Sequence, residues 1–309
     1  MNETELHQFY VEFVARLRDR GMLCAITSGL ACVHYGVAES TKDCDLLCHP
    51  AHFNALLQEL SVTTVAGHAC GYRGNLSPPL DDRWHCGGWT SHFNWGRGPD
   101  AVTLDVFGRA LRASTPWPRE LSAGLYISAH IVADMKRTNR DKDWPFITAL
   151  GARMVRLGDQ RGWLHVFELA LVQELLNEGL QCPAEFAARR PALQFALAGN
   201  SRASAALLAE RLFWEQLDAV RIKIYERALR PYMVAVRKLL VPETASLLES
   251  HRLRVRCAEE HLVASPLVDY GIERHIDEAR QQTIEGSGLV QEAAEWLPDV
   301  RENFEYLTP

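Results

Sequence analysis

ITSGLACVHYGVAESTKDCDLL, residues 26–47, is the stretch that decides how the N-terminal part of this 309-residue chain folds. An apolar run ends in Ser28-Gly29, and helical spacing of apolar residues follows directly. The pattern predicts a short buried strand over Met22–Ile26 and a helix over Leu30–Tyr35. Unpaired backbone N–H groups at such a strand–turn–helix junction, together with the helix dipole, favour the binding of a phosphate group.

Three aspartates follow this junction in strand-like surroundings. Asp43 and Asp45 begin a predicted strand over Asp43–Cys48, and alternation along a strand puts both on one face. Asp105 lies in a further predicted strand over Ala101–Phe107. We expect the three carboxylates to converge within a few ångströms, next to the Ser-Gly turn. Such an all-oxygen site suits Mg²⁺, which favours carboxylates together with substrate phosphates.

This order of elements resembles the nucleotidyltransferase superfamily typified by DNA polymerase β. That family has a Gly-Gly or Gly-Ser pair opening a helix, then a Thr/Ser-x-Asp-x-Asp stretch and a third aspartate on a later strand. The resemblance implies that the triphosphate contacts Ser28 and Gly29. It also implies that the metal ligands and catalytic carboxylates are Asp43, Asp45 and Asp105.

Thr41 and Glu39 occupy two further positions of the same motif. Thr41 stands at its Thr/Ser position and is counted with the nucleotide-binding residues. Glu39 stands where the family has arginine, a departure that affects a structural ion pair or the choice of substrate.

A second segment, ADMKRTNRDKDWPFI at residues 133–147, narrows the resemblance. It is similar to the basic motif of AbiEii-like and MenA-like nucleotidyltransferases, the toxin components of type IV toxin–antitoxin and phage-defence systems. The resemblance implies that Lys136 contacts the triphosphate as a catalytic and nucleotide-binding residue. Arg140, Lys142 and Asp143 complete the nucleotide-binding set. Phe146 replaces the last aspartate of that motif.

The function implied is transfer of a nucleoside monophosphate from a nucleoside triphosphate to a hydroxyl acceptor, with Mg²⁺ or Mn²⁺ as cofactor. In that chemistry two metal ions neutralise the triphosphate and activate the acceptor while pyrophosphate leaves. RNA or a protein side chain is the acceptor expected of a toxin-like enzyme, with a cognate antitoxin protein as partner. The alternatives are a small-molecule, antibiotic-type nucleotidyltransferase and a catalytically idle nucleotide-binding or interaction module of the same fold.

The amino-acid composition excludes few of these candidate functions. The net charge of −6 excludes a basic field over the whole chain, although residues 211–238 carry seven bases against three acids and favour RNA weakly. No apolar run approaches the roughly 18 residues that span a bilayer, and we expect a cytoplasmic protein without a membrane partner. Cys44, Cys48, His49 and His52 form a tight cluster that we interpret as packing, with a zinc site as the alternative.

The fold class predicted is α+β. A small mixed β-sheet nucleotidyltransferase domain with flanking helices covers residues 1–150, and a mostly helical domain covers residues 151–309. We further predict a helix over residues 4–20, a helix over Ala51–Leu60 and a hairpin over Arg83–Trp95 that turns at Gly87-Gly88. Arg73 and Arg97 are interpreted as surface arginines of turns that could reach a phosphate.

Overall fold

The computed structural model describes residues 2–113, 117–239, 245–287 and 291–307. One six-stranded mixed sheet forms its centre, with strand order β1-β2-β6-β5-β4-β3. Strands β2 and β6 run parallel, and each other neighbouring pair is antiparallel. The strands are β1 (Cys24–Thr27), β2 (Cys44–Cys48), β3 (Thr64–Val65), β4 (His68–Tyr72), β5 (Thr90–Trp95) and β6 (Val102–Phe107).

Helices make up most of the remainder, and from residue 151 onward the described residues contain no strand. The α-helices are α1 (Glu3–Asp19), α2 (Ser28–His34), α3 (Phe53–Val62), α4 (Asp82–His85), α5 (Ala129–Met135), α6 (Trp144–Arg156), α7 (Leu169–Asn177), α8 (Ala184–Arg189), α9 (Pro191–Leu197), α10 (Ala203–Lys238), α11 (Leu247–His261), α12 (Pro266–Tyr270) and α13 (Ile272–Ser287). Short 3-10 helices cover Pro50–His52, Trp117–Ser122, Asp141–Asp143, Gln160–His165, Gln291–Trp296 and Arg301–Leu307. The α+β prediction is therefore confirmed. Within the described ranges, no helix has the length and apolarity needed to cross a membrane.

Helices α1 and α3 cover one face of the sheet. Helix α1 is capped by Asn2, which accepts a hydrogen bond from the Glu5 backbone, and its buried side chains recur at helical spacing. They pack against Leu46, Leu104 and other apolar residues of the central strands. Cys44 and Cys48 are buried in this same core, which agrees with the packing interpretation of the cysteines.

The opposite face of the sheet carries helices from both halves of the chain. Its core joins Ala25 and Leu47 of the sheet to Phe213 and Leu217 of α10 and to Phe304 near the C-terminal end. Part of the helical half therefore shares a core with the sheet, while a further cluster that includes Trp163, Leu193 and Leu207 lies within the helical half alone.

The prediction of a hairpin over Arg83–Trp95 is wrong. Asp81 caps a helical turn by accepting a hydrogen bond from the Arg83 backbone N–H at 2.9 Å, so the first half of the segment forms α4. The second half is β5, which pairs with β4 and β6 instead. A side chain at Gly87 would overlap the backbone of residues 264–265, so this glycine permits a close approach of the chain.

Candidate active site

The centre of the site is a pair of carboxylates on the two parallel strands. Asp45 of β2 lies directly opposite Asp105 of β6 in the strand register. Burial, and next the negative charge of Asp105, raise the pKa of Asp45 to about 7. A hydrogen bond from the Ser28 side chain and the positive charge of Lys136 act in the opposite direction. The structure thus brings four of the predicted site residues together around one carboxylate.

Asp43 lies beside this pair rather than within it. Its Oδ1 accepts a hydrogen bond from Thr103 Oγ1 at 2.8 Å, and it lines a cavity of about 340 Å³. Among the described residues, the one group of three His, Cys, Asp or Glu ligand atoms within 4.8 Å of one another contains none of the three aspartates. The three carboxylates thus do not all lie within 4.8 Å of one another, although the charge of Asp43 contributes to the raised pKa of Asp45. The physical reason is local: the strand begins at Cys44, so the ladder does not fix the preceding aspartate, and Thr103 binds it.

Asp105 has two partners that the sequence did not indicate. Arg73 Nη2 donates to both carboxylate oxygens, at 2.8 Å to Oδ1 and 3.0 Å to Oδ2. His92 Nδ1 lies 2.9 Å from Oδ1 and 3.1 Å from Arg73 Nη2. His92 faces Asp105 because the two are paired in the register of β5 and β6. Arg73, interpreted from sequence as a surface residue of a turn, thus pairs with the third aspartate.

The Ser28-Gly29 pair opens a helix directly after a strand, as the sequence predicted. Ser28 has φ +52°, in the left-handed region that side chains rarely adopt, and it starts α2 immediately after β1. No side chain caps this helix, since the Thr27 hydroxyl lies 3.5 Å from Met135 Sδ. A Cβ on Gly29 would lie 2.7 Å from Thr41 Oγ1, so glycine allows Thr41 to close against the turn.

Lys136 follows α5 and lies between two carboxylates. Its Nζ is 2.9 Å from Asp143 Oδ1, and its charge also acts on Asp45. Although burial raises the pKa of Asp143, the charge of Lys136 and hydrogen bonds from Lys136 and Thr138 hold it below its usual value. Phe146 places its ring centroid 5.4 Å from Lys136 Nζ, so an aromatic face replaces the carboxylate that the motif would have here.

The remaining basic residues of this turn are on the surface. Arg140 Nη2 lies 2.7 Å from Asp143 Oδ2 while its side chain is 56% exposed. Lys142 is exposed. Neither is fixed in position by burial, and both could contact a ligand from the solvent side.

A second candidate for metal binding is the fully buried group His130, Asp134 and His165. His130 Nδ1 and His165 Nε2 lie 2.7 Å apart, and Arg137 Nη2 lies 3.1 Å from His165 Nδ1. Arginine can only donate, so His165 Nδ1 accepts and His165 Nε2 carries the proton that it donates to His130. A metal would need that nitrogen deprotonated. This proton arrangement supports a buried hydrogen-bonded cluster with neutral histidines; burial lowers the pKa of both.

Asp45 and Asp105 fit a divalent cation better. Both ligands are carboxylates and they are adjacent in the strand register, and burial together with the charge of Asp105 raises the pKa of Asp45. No protein-family model, curated protein or solved structure matches this chain.

Proposed function

We propose that this chain is a metal-dependent nucleotidyltransferase, which moves a nucleoside monophosphate from a nucleoside triphosphate to a hydroxyl acceptor. The observation that carries the proposal is the adjacent Asp45–Asp105 pair, bordered by the Ser28 turn on one side and influenced by the Lys136 charge. Anionic and cationic groups in this order suit a metal-bound triphosphate better than an uncharged ligand.

The roles proposed for the site residues follow from their charges. Asp45 and Asp105 would hold Mg²⁺ or Mn²⁺, with Asp43 beside them at the start of β2. When bound, the metal would neutralise phosphate charge and make an acceptor hydroxyl easier to deprotonate. The Ser28-Gly29 turn, Thr41 and Lys136 would contact the phosphates. Arg140, Lys142 and Asp143 would border the nucleotide on the solvent side.

The lining of the cavity beside Asp43 bears on the identity of the acceptor. The cavity beside Asp43 is where we place it, and the acidic Glu3, Asp43 and Asp100 line that cavity with Lys42 as the one lysine. Acidic surroundings repel a polyanion, which favours a small hydroxylated acceptor over RNA. In the basic 211–238 stretch, Arg211 pairs with Asp141 and Glu215, and Arg221 pairs with Asp218, so part of its charge is neutralised. A protein acceptor and a cognate antitoxin protein remain partners that the motif resemblance implies.

A catalytically idle nucleotide-binding module is the second candidate. The ion pair between Arg73 and Asp105 favours it, because an occupied carboxylate binds a metal less readily.

A transfer experiment separates these functions. The protein is incubated with each α-³²P-labelled nucleoside triphosphate, Mg²⁺ or Mn²⁺, and separate pools of RNA, protein and small hydroxylated molecules. We expect label in one pool, and a loss of at least about 100-fold in rate for Asp45→Asn. Asp277→Asn, which changes an exposed aspartate of α13, is the matched control and should keep full activity. Binding of nucleotide without transfer to any pool would support the idle module instead.

A further inference from the structure

We propose that Arg73 exchanges partners: it neutralises Asp105 while the site holds no metal, and it contacts the triphosphate once a metal takes that carboxylate. This inference rests on the proposed function, since it concerns the same site. Arg73 belongs neither to the Ser-Gly turn nor to the basic segment after α5, so the motif resemblance gives it no role.

The first step of the argument is that Arg73 occupies the position of a cation. A single nitrogen, Nη2, lies 2.8 and 3.0 Å from the two oxygens of Asp105. His92 Nδ1 lies 2.9 Å from Oδ1. Both oxygens of the carboxylate therefore already have a donor, and a metal shared with Asp45 would meet a guanidinium on the same group. Like charges repel across one carboxylate, so metal and arginine compete for it.

The second step is that Arg73 can leave. Its side chain is 41% exposed, whereas that of Lys136 is only 7% exposed. Its backbone N–H donates to the His92 carbonyl at 2.9 Å, which holds the main chain just after β4 against β5. Displacement would therefore move the side chain alone, and the guanidinium would stay near the metal.

The third step gives the released guanidinium a partner. A triphosphate bound through one divalent cation keeps a net negative charge, and arginine presents a planar fork of donors that matches phosphate oxygens. Lys136 and Arg140 both pair with Asp143, so a released Arg73 would add a guanidinium with no carboxylate partner to the donors that this negative charge meets. Arg73 would thus weaken the binding of metal alone and strengthen the binding of the metal–nucleotide complex.

Metal and nucleotide binding are measured separately on the full chain. Mn²⁺ alone is titrated and followed by electron paramagnetic resonance. ATP, CTP, GTP and UTP are then tested one at a time, at saturating Mg²⁺, by equilibrium dialysis. For Arg73→Ala we expect the Mn²⁺ dissociation constant to fall by about 10-fold and the dissociation constant of the preferred nucleotide to rise by about 10-fold or more. Arg73→Lys, which keeps the charge but loses the fork, should leave Mn²⁺ affinity near wild type and weaken nucleotide binding in part.

Arg20→Ala is the matched control, because Arg20 is an exposed arginine that pairs with the Glu59 carboxylate elsewhere on the surface. Arg20→Ala should change neither the Mn²⁺ dissociation constant nor the nucleotide dissociation constant. Unchanged or weaker Mn²⁺ binding by Arg73→Ala, or unchanged nucleotide binding, would overturn the exchange. Asp45→Asn separates the two hypotheses: if it binds Mn²⁺ as the wild type does, the proposed function fails as well. If it loses Mn²⁺ while Arg73→Ala gains nothing, only the role of Arg73 is wrong.

Discussion

Replacing Asp45 by asparagine should stabilise the metal-free protein at neutral and alkaline pH while removing its response to metal. Asparagine has nearly the same shape and keeps an oxygen that can accept the hydrogen bond from Ser28. It removes the charge that burial and Asp105 oppose. The predicted gain in stability therefore comes from the same repulsion that would make the site bind a cation.

The size of the effect follows from the pKa. An increase from 3.8 to about 7 corresponds to roughly 4 kcal/mol of differential interaction. Solvent screens part of this at a side chain that is only partly buried, so we expect about 2 kcal/mol to be measurable. Because the folded-state pKa lies above the unfolded value, the wild type loses this stability as the pH rises from about 4 to 7. Below pH 4 the carboxyl group is neutral in both states, and the two proteins should differ little.

Thermal unfolding between pH 4 and 9, with EDTA and then with Mn²⁺, measures both effects. The variant should unfold about 3–5 °C above the wild type at pH 8 in EDTA. Mn²⁺ should raise the melting temperature of the wild type and leave that of the variant unchanged. Asp277→Asn serves again as the control. A variant that is less stable than the wild type at pH 8 without metal would refute the reasoning, because Asp45 would then be a stabilising charge.

Lys136→Met should lower the unfolding free energy by about 3 kcal/mol, because it leaves the buried Asp143 without its buried cation and with only the exposed Arg140 as a charged partner. The double change with Asp143→Asn should recover stability but not nucleotide affinity, which calorimetric unfolding and dialysis can distinguish. Gly29→Ala should weaken nucleotide binding by displacing Thr41, and Thr41→Ala in the same chain should restore part of the lost thermal stability; no change in melting temperature would show that the contact is loose. Ser28→Gly should relieve the left-handed backbone and raise the pH midpoint of Mn²⁺ binding, because the carboxylate on β2 loses its hydrogen bond; an unchanged midpoint would exclude that bond.

The elements that lie close together in the chain could be predicted from the sequence. Strand β1, the Ser28 turn, α2 and β2 follow each other within 25 residues, and alternation and turn chemistry determine them. The strand that carries Asp105 was predicted from its own apolar pattern, but the register that puts Asp105 opposite Asp45 was not. Helix α1 was equally clear from its spacing.

The non-local part could not be read in the same way. His92 faces Asp105 only through the register of β5 and β6, and Arg73 reaches it from the end of β4. Periodicity gives the face of a strand but not its neighbour or its register. The same limit explains the wrong hairpin, where Trp84 and Trp89 donate hydrogen bonds to the backbone at Leu262 and Val263. Such partners lie more than 170 residues away in the chain.

The core that joins the sheet to α10 has a consequence during synthesis. Leu47 emerges long before Phe213, and at cellular elongation rates the interval is roughly 10–30 s. Through that time the sheet face that carries Asp45 has α2, α5 and α6 packed on it but lacks α10, so the core behind the two carboxylates is incomplete. We expect ribosome-bound chains that stop before α10 to bind no Mn²⁺. A growing chain would thus be unable to bind metal at Asp45 and Asp105 until α10 and the helices after it have been synthesised.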